Sequence, residues 1–132
     1  MSAYYLGADL GATKTHVLVT DEHGVALGFG NAGPGNHESV GYRGFKASLT
    51  RAVTQALSMA GLTPAQVSGA GFGIGGYDWP MERNPMLRII RTLHIGGAME
   101  MVNDAELGIL TGSPRGWGVA VVSGTGCNCR GW

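Results

Sequence analysis

Six short apolar segments of the chain have the length and residue pattern of β-strands, with glycine-rich turns between them. The predicted strands are residues 4–10, 15–21, 25–30, 69–74, 98–102 and 117–122. Apolar residues recur at helical spacing in three further segments, which are residues 42–60, 82–94 and 105–110. In the longest of these, Phe45, Leu49 and Val53 share one face, and Gly61 supplies a helix stop. The predicted order of elements is therefore β-β-β-α-β-α-β-α-β.

This order of elements indicates a fold class. Three strands joined by short turns predict an antiparallel meander, and the alternating strands and helices that follow predict β-α-β units. We expect an α/β fold with a mixed five-stranded sheet and helices on its faces. Ligands of such sheets bind beyond the strand ends. Polar motifs occupy those positions here, at residues 9–15, 75–78, 103–104 and 124–126.

The motif at the end of the first strand reads D-L-G-A-T-K-T over residues 9–15. Gly11 allows a tight turn and a close approach of the backbone, so the N–H groups and the side chains of Thr13, Lys14 and Thr15 are candidate phosphate contacts. Asp9 is a candidate for holding Mg²⁺ through water, because Mg²⁺ keeps much of its hydration shell. The spacing matches neither a P-loop nor a G-x-G-x-x-G loop, and a hairpin with a polar turn explains the same residues.

Composition and charge narrow the function classes. The 132 residues carry nine basic and nine acidic side chains, and a formal net charge of zero argues against binding to nucleic acid or to a membrane surface by bulk charge. No apolar run approaches the ~20 residues of a membrane span. Cys127 and Cys129 are too close in sequence for a mutual disulfide, so a cytoplasmic location is predicted. The sequence stops at Trp132, just after a polar glycine turn, and we expect residues 1–132 to be the first lobe of a longer chain.

Three of the motifs together resemble a known superfamily. The D-x-G-x-T-K-T motif, the Asn103-Asp104 pair and the S-G-T-G of residues 123–126 are similar to those of the acetate and sugar kinase–chaperone–actin superfamily. Within it, the chain resembles the N-acetylglucosamine kinases and the BadF/BadG/BcrA/BcrD-type ATPases, over the ribonuclease H-like first lobe only. The resemblance implies ATP and Mg²⁺ as cofactors, an amino sugar as substrate, and a C-terminal lobe that is absent from this chain.

The resemblance also implies roles for individual residues. Asp104 matches the base that takes the proton of the sugar hydroxyl, and Asp9 matches the residue that orients hydrated Mg²⁺. The implied phosphate contacts are Gly11, Thr13, Lys14, Thr15, Gly124, Thr125 and Gly126. The implied sugar contacts are Asn36, His37, Gly75, Gly76, Asp104 and Thr125. Cys127 stands where the kinases have a serine, which is a departure from their pattern.

Each assignment has a simpler structural alternative. An aspartate after a strand, such as Asp104, is often a helix N-cap. The Pro-Gly pair before Asn36 is common in turns that bind nothing, and Lys14 also fits a solvent-facing position on a strand. The favoured function is an ATP-dependent kinase for N-acetylglucosamine or a related amino sugar. The alternatives are an ATPase that switches a partner enzyme and a sugar-sensing domain without catalysis. As a separate lobe, the chain is expected to expose apolar surface that favours association, for example as a homodimer.

Overall fold

The computed structural model describes residues 1–124 and 126–132, and it contains seven strands and three helices within those residues. In chain order these are β1 (Tyr4–Leu10), β2 (Thr15–Asp21), β3 (Ala26–Ala32), α1 (His37–Ala60), β4 (Val67–Ile74), α2 (Arg83–Arg91), β5 (Ala98–Asn103), α3 (Leu107–Gly112), β6 (Val119–Ser123) and β7 (Cys127–Gly131). Short 3₁₀ turns at Pro64–Gln66, Pro80–Glu82 and Asp104–Glu106 precede β4, α2 and α3. In the described part of the chain, no helix has both the length and the apolar character needed to cross a membrane.

The first five strands form one mixed sheet in the order β3-β2-β1-β4-β5. The pairs β1–β2 and β2–β3 are antiparallel, whereas β1–β4 and β4–β5 are parallel. The predicted α/β fold with a five-stranded mixed sheet is therefore confirmed. The parallel pairing places Leu10, Ile74 and Asn103 side by side at one edge of the sheet. The loops that follow these three residues consequently leave the sheet together.

Helix α1 covers one face of the sheet, and the core lies between them. The side chains of Phe45, Leu49 and Phe72 are almost completely buried there. The helix approaches β3 so closely that a Cβ atom at Gly28 or Gly30 would collide with the backbone of α1. Glycine on β3 is what allows this contact, because it removes the side chain between strand and helix.

Helix α1 begins earlier than the sequence predicts, at His37, and it is interrupted after one turn. Gly41 has φ 68° and ψ 173°, a combination that is essentially restricted to glycine. The first turn, residues 37–40, is therefore separated from the regular helix, which runs over the predicted residues 42–60. At the other end, Gly61 adopts a left-handed conformation and stops the helix as predicted.

The last two strands lie outside the five-stranded sheet. The predicted strand at residues 117–122 is present as β6, but it pairs in antiparallel fashion with β7, which the sequence analysis did not predict. The N–H of Gly124 donates to the carbonyl of Gly126 at 2.9 Å within the connecting turn. One face of this hairpin leaves Val119 and Val121 exposed. The other face directs polar side chains of β7 towards the end of β5.

Candidate functional site

The candidate site is a cavity of about 400 Å³ beyond the edge of the sheet where β1, β4 and β5 end. The N–H of Gly75 donates to the carbonyl of Leu10 at 2.8 Å, which holds the loops after β4 and β1 together. The cavity is lined by Ala12, Thr13, Asn36, Glu38, Gly75, Gly76, Asp78, Asp104, Val122, Gly124, Gly126, Cys127 and Asn128. A wider groove of about 830 Å³ follows the outer face of α1, but it contains none of the strand-end motifs. We therefore take the smaller cavity as the candidate site.

Asp104 is half-buried in this cavity, directly after β5. One of its carboxylate oxygens accepts a hydrogen bond from the N–H of Ala105 at 2.9 Å. Burial raises the pKa of Asp104, the Ala105 N–H opposes that effect, and the negative charges of Asp9 and Asp78 raise the pKa further. Its other oxygen lies only 3.1 Å from the position that a Cβ of residue 75 would occupy, so glycine leaves room for the carboxylate. Asp104 is therefore a cavity carboxylate with increased proton affinity, which is the property required of a general base.

The turn after β1 presents its backbone to the cavity. The N–H of Gly11 donates to the carbonyl of Lys14 at 2.9 Å, and the carbonyl of Gly11 accepts hydrogen bonds from the N–H groups of residues 35 and 36. Ala12 and Thr13 line the cavity, and within the described residues their N–H groups have no hydrogen-bond partner in the protein. Free N–H groups at the end of a glycine turn are suitable donors to an anion such as a phosphate.

Three predicted phosphate contacts, Gly11, Lys14 and Thr15, are not among the residues that line this cavity. Thr15 is completely buried, and its hydroxyl donates to the carbonyl of Gly33 at 2.9 Å. The structure thus gives Thr15 a role in holding the turn against the loop before α1. Lys14 is exposed outside the cavity lining. Gly124 and Gly126 do line the cavity, whereas Thr125 lies outside the described residues.

Asp9 lies near the end of β1, on the face of the sheet opposite α1. Burial raises the pKa of Asp9, and the positive charges of His16 and Lys14 oppose this effect. Its charge acts on Asp104, so the two carboxylates are electrostatic neighbours. Within residues 1–124 and 126–132, no group of three or more His, Cys, Asp or Glu side chains is arranged to hold a metal ion. Asp9 is not among the residues that line the candidate cavity; it lines a separate cavity with His16 and Leu107. Mg²⁺ is commonly held by one or two carboxylates together with water and substrate phosphates, and Asp104 is a cavity carboxylate that fits that donor set.

Asn36 and Glu38 line the wall of the cavity formed by the start of α1. The side-chain oxygen of Asn36 accepts a hydrogen bond from the N–H of Glu38 at 2.8 Å, so Asn36 is the N-cap of the helix. Gly76, on the facing loop, has φ 79°, and a Cβ atom there would collide with the Asn36 side chain. The close approach of these two loops therefore requires glycine at position 76.

His37 does not line the cavity. Its Nε2 atom lies 3.2 Å from a carboxylate oxygen of Glu82, and its ring stacks on Tyr42 at 4.9 Å. The other oxygen of Glu82 accepts hydrogen bonds from the N–H groups of Asp78 and Trp79, both at 2.9 Å. Burial alone would raise the pKa of Glu82, but these N–H groups and His37 together lower it. His37 thus ties the first turn of α1 to the loop after β4.

A group of polar residues that the sequence analysis did not assign to the site holds the cavity walls together. Asn103 is almost fully buried, and its Nδ2 donates to the carbonyl of Tyr77 and to Asp78, both at 3.0 Å. Its Oδ1 accepts a hydrogen bond from the side chain of Asn128 at 3.3 Å. Arg130 pairs with Asp78. In the sequence, Asn103 is next to Asp104, and Arg130 follows the 123–126 motif closely, which is a sign that both could belong to the site. Their contacts, from Asn128 to Asn103 and from Arg130 to Asp78, form only because the β6–β7 hairpin packs against the end of β5.

The Gly76 contact leads to a stability prediction. We expect Gly76→Ala to lower the free energy of unfolding by about 2 kcal/mol, because it combines left-handed strain with the collision against Asn36. Gly24→Ala is the matched control, since Gly24 has φ 78° but nothing within 4 Å of its Cβ position. It is expected to cost about 1 kcal/mol, the strain alone. Equal losses in urea unfolding would show that Asn36 does not restrict position 76.

Residues 6–129 match the sequence family described as the BadF/BadG/BcrA/BcrD ATPase family. The chain belongs to this family. The resemblance inferred from the D-x-G-x-T-K-T, Asn-Asp and S-G-T-G motifs is therefore confirmed. As a BadF/BadG/BcrA/BcrD family member, the chain places all three motifs around one cavity, with Thr125 left undescribed.

Relatives of this family member include kinases for amino sugars. An N-acetylmuramic acid/N-acetylglucosamine kinase of Clostridium acetobutylicum is 30% identical over 128 residues, which are 97% of this chain and 42% of that protein. Structures assigned as N-acetylglucosamine kinases from Chromobacterium violaceum and Porphyromonas gingivalis each superpose with a TM-score of 0.72 at 20% identity. They cover 98% and 97% of this chain, and 45% and 44% of their own chains. At that identity they show the fold, and the chain spans less than half the length of each relative.

Proposed function

We propose that this chain supplies the first half of the active site of an ATP-dependent kinase for an amino sugar, with Asp104 as the general base. The observation that carries the proposal is the position of Asp104, a half-buried carboxylate with a raised pKa in a cavity of about 400 Å³ that is also lined by a turn with free N–H groups. The curated relative, which is named as an amino-sugar kinase, supports the substrate class. In this role Asp104 accepts the proton of the attacking sugar hydroxyl as the phosphoryl group is transferred.

The phosphate side of the proposed site uses backbone more than side chains. The N–H groups of Ala12 and Thr13 donate to phosphate oxygens, and Gly124 and Gly126 allow a close approach of the backbone at their positions in the cavity lining. Asp9, with Asp104 nearby, orients the hydrated Mg²⁺ of the nucleotide. When bound, Mg²⁺–ATP supplies the phosphoryl group and the charge neutralisation that its transfer requires.

The sugar side of the proposed site lies beside Asn36 and the Gly75–Gly76 turn, which pack against each other and line the cavity together. The Nδ2 of Asn36 is a suitable donor to a sugar hydroxyl or acetamido oxygen, and the two glycines leave room for the side chains of Asp104 and Asn36 at the cavity wall. Both sugars named for the curated relative, N-acetylglucosamine and N-acetylmuramic acid, are candidate substrates. We also propose that residues 1–132 form the first lobe and that a second lobe completes the nucleotide site, since the relatives are more than twice as long.

An ATPase that switches a partner enzyme is the second candidate function. The observation in its favour is the description of the matched family, which names ATPases and no sugar. In that case the same turns hold ATP, but water accepts the phosphoryl group and turnover responds to a protein partner. The two candidates differ in the acceptor and therefore in the product.

The test is an assay of ADP release from Mg²⁺–ATP by the polypeptide that contains residues 1–132 together with the second lobe. We expect N-acetylglucosamine or a related amino sugar to stimulate turnover at least tenfold and to yield a sugar phosphate identified by mass spectrometry. Slow turnover that ignores every sugar in a panel would contradict the kinase proposal and support the ATPase candidate. A glucose control separates recognition of the amino sugar from a general effect of hexoses.

A further inference from the structure

The cavity is rich in negative charge. Three carboxylates line it, those of Glu38, Asp78 and Asp104, and among the described lining residues there is no Lys, Arg or His. Arg130 pairs with Asp78 and offsets one of these charges. In the described structure Glu38 makes no ion pair, and it stands on the wall that also carries Asn36. An anionic group entering this end of the cavity therefore meets an uncompensated carboxylate.

The position of Glu38 is set by contacts on each side of it. Its own N–H is held by the Asn36 side chain at 2.8 Å, and the next-door His37 is anchored to Glu82 at 3.2 Å. The glycine-only conformation of Gly41 then separates this turn from the rest of α1. The contact between His37 and Glu82 thus holds residues 37–40 against the segment after β4, and this fixes the backbone of Glu38 at the cavity wall.

We propose that Glu38 is a specificity-determining residue that favours uncharged amino sugars over acidic ones. The inference rests on the proposed kinase function and deepens it. Glu38 is exposed at the cavity wall. A carboxylate accepts hydrogen bonds from the hydroxyl groups of a neutral sugar, whereas it repels the carboxylate of a sugar acid that enters the same cavity. N-acetylmuramic acid differs from N-acetylglucosamine by a lactyl ether that carries such a carboxylate, so the two sugars form a matched pair of probes. Discrimination of this kind depends on a repulsive element placed against the wrong ligand.

The test compares kcat/KM for the two sugars in the polypeptide that contains residues 1–132 and the second lobe. We expect the unmodified protein to prefer N-acetylglucosamine, and Glu38→Gln to raise the ratio of kcat/KM for N-acetylmuramic acid to that for N-acetylglucosamine about tenfold. Glu100→Gln is the matched control, because it removes the same charge from an exposed residue of β5 that pairs with Arg83 outside the cavity. It should leave the ratio unchanged.

Binding measured by calorimetry gives a readout that does not require catalysis. We expect the unmodified protein to bind N-acetylglucosamine with a lower Kd than N-acetylmuramic acid. Glu38→Gln should reduce the ratio of the two Kd values about tenfold. The role of Glu38 would be overturned if the unmodified protein had equal kcat/KM and equal Kd values for the two sugars, or if Glu38→Gln left the ratio of kcat/KM values unchanged. Either result would leave the kinase proposal intact. Failure of both sugars to bind or react would overturn the kinase proposal, and the specificity role with it.

Discussion

Replacing Asp104 with asparagine is expected to lower the rate of phosphoryl transfer to the sugar by about a thousandfold. The substitution keeps the size of the side chain and an oxygen that can accept the Ala105 N–H, but it removes the group that takes the hydroxyl proton. Sugar binding, measured by calorimetry, should therefore change much less than kcat. Asp21→Asn is the matched control, because Asp21 lies at the end of β2 and outside the cavity lining. Near-normal turnover by Asp104→Asn would remove Asp104 from the mechanism.

The same carboxylate predicts a pH dependence. A general base works only when it is deprotonated, so kcat/KM should fall as the pH is lowered through the pKa of Asp104. Burial, together with the charges of Asp9 and Asp78, raises that pKa, and the acidic limb should therefore lie at higher pH than for an ordinary aspartate. Residual turnover by Asp104→Asn should lack this limb. A limb that persists unchanged in the variant would assign it to another group.

Replacing Gly30 with alanine is expected to lower the free energy of unfolding by about 3 kcal/mol. The added Cβ would collide with the carbonyl group of Ala52 in α1, and backbone atoms on both sides cannot move aside as a flexible side chain can. The helix must therefore shift away from the sheet and loosen its contacts around Phe45 and Leu49. Urea unfolding, monitored by circular dichroism, measures the loss.

Gly71→Ala is the matched control for this experiment. Gly71 also lies in the five-stranded sheet, on β4, but nothing stands within 4 Å of its Cβ position. Alanine there is expected to change the free energy of unfolding by less than about 0.5 kcal/mol. Similar losses in the two variants would show that strand glycines act through backbone conformation and that close packing of α1 on β3 is not the cause.

The sheet could be predicted because its strands are short, apolar and separated by clear turns. Once the order of elements is known, the parallel strands must end at one edge, and this brings the loops after Leu10 and Ile74 beside Asp104. The existence of a cavity lined by residues of all four motifs follows from that rule. Strand β7 was not predicted, because its polar residues and cysteines lack the apolar pattern of a buried strand. In the part of the chain that the structure describes, its pairing partner is β6.

The finer partners of individual side chains could not be predicted, because they depend on which way each residue faces. Thr15 and His37 belong to polar motifs that predict ligand contacts. In the structure, however, the Thr15 hydroxyl donates to the carbonyl of Gly33, and the His37 imidazole contacts the carboxylate of Glu82. The alternation of buried and exposed residues along β2 places Thr15 on the core side, and this pattern can be read from the sequence. The position of Thr15 in the D-x-G-x-T-K-T motif led instead to its prediction as a phosphate contact. The role of Asn103 depends on partners in the loop after β4 and on β7, and neither segment is near it in sequence.

The separation of the β6–β7 hairpin from the main sheet has a consequence for how the chain folds as it is made. Every strand of the large sheet and the helix that covers it lie within the first 103 residues, so this core can close while later residues are still being synthesised. The hairpin needs only local pairing and then docks on a preformed surface through Asn103 and Asp78. Translation thus produces the loops after β1 and β4 first and brings Gly124 and Gly126 to the cavity afterwards.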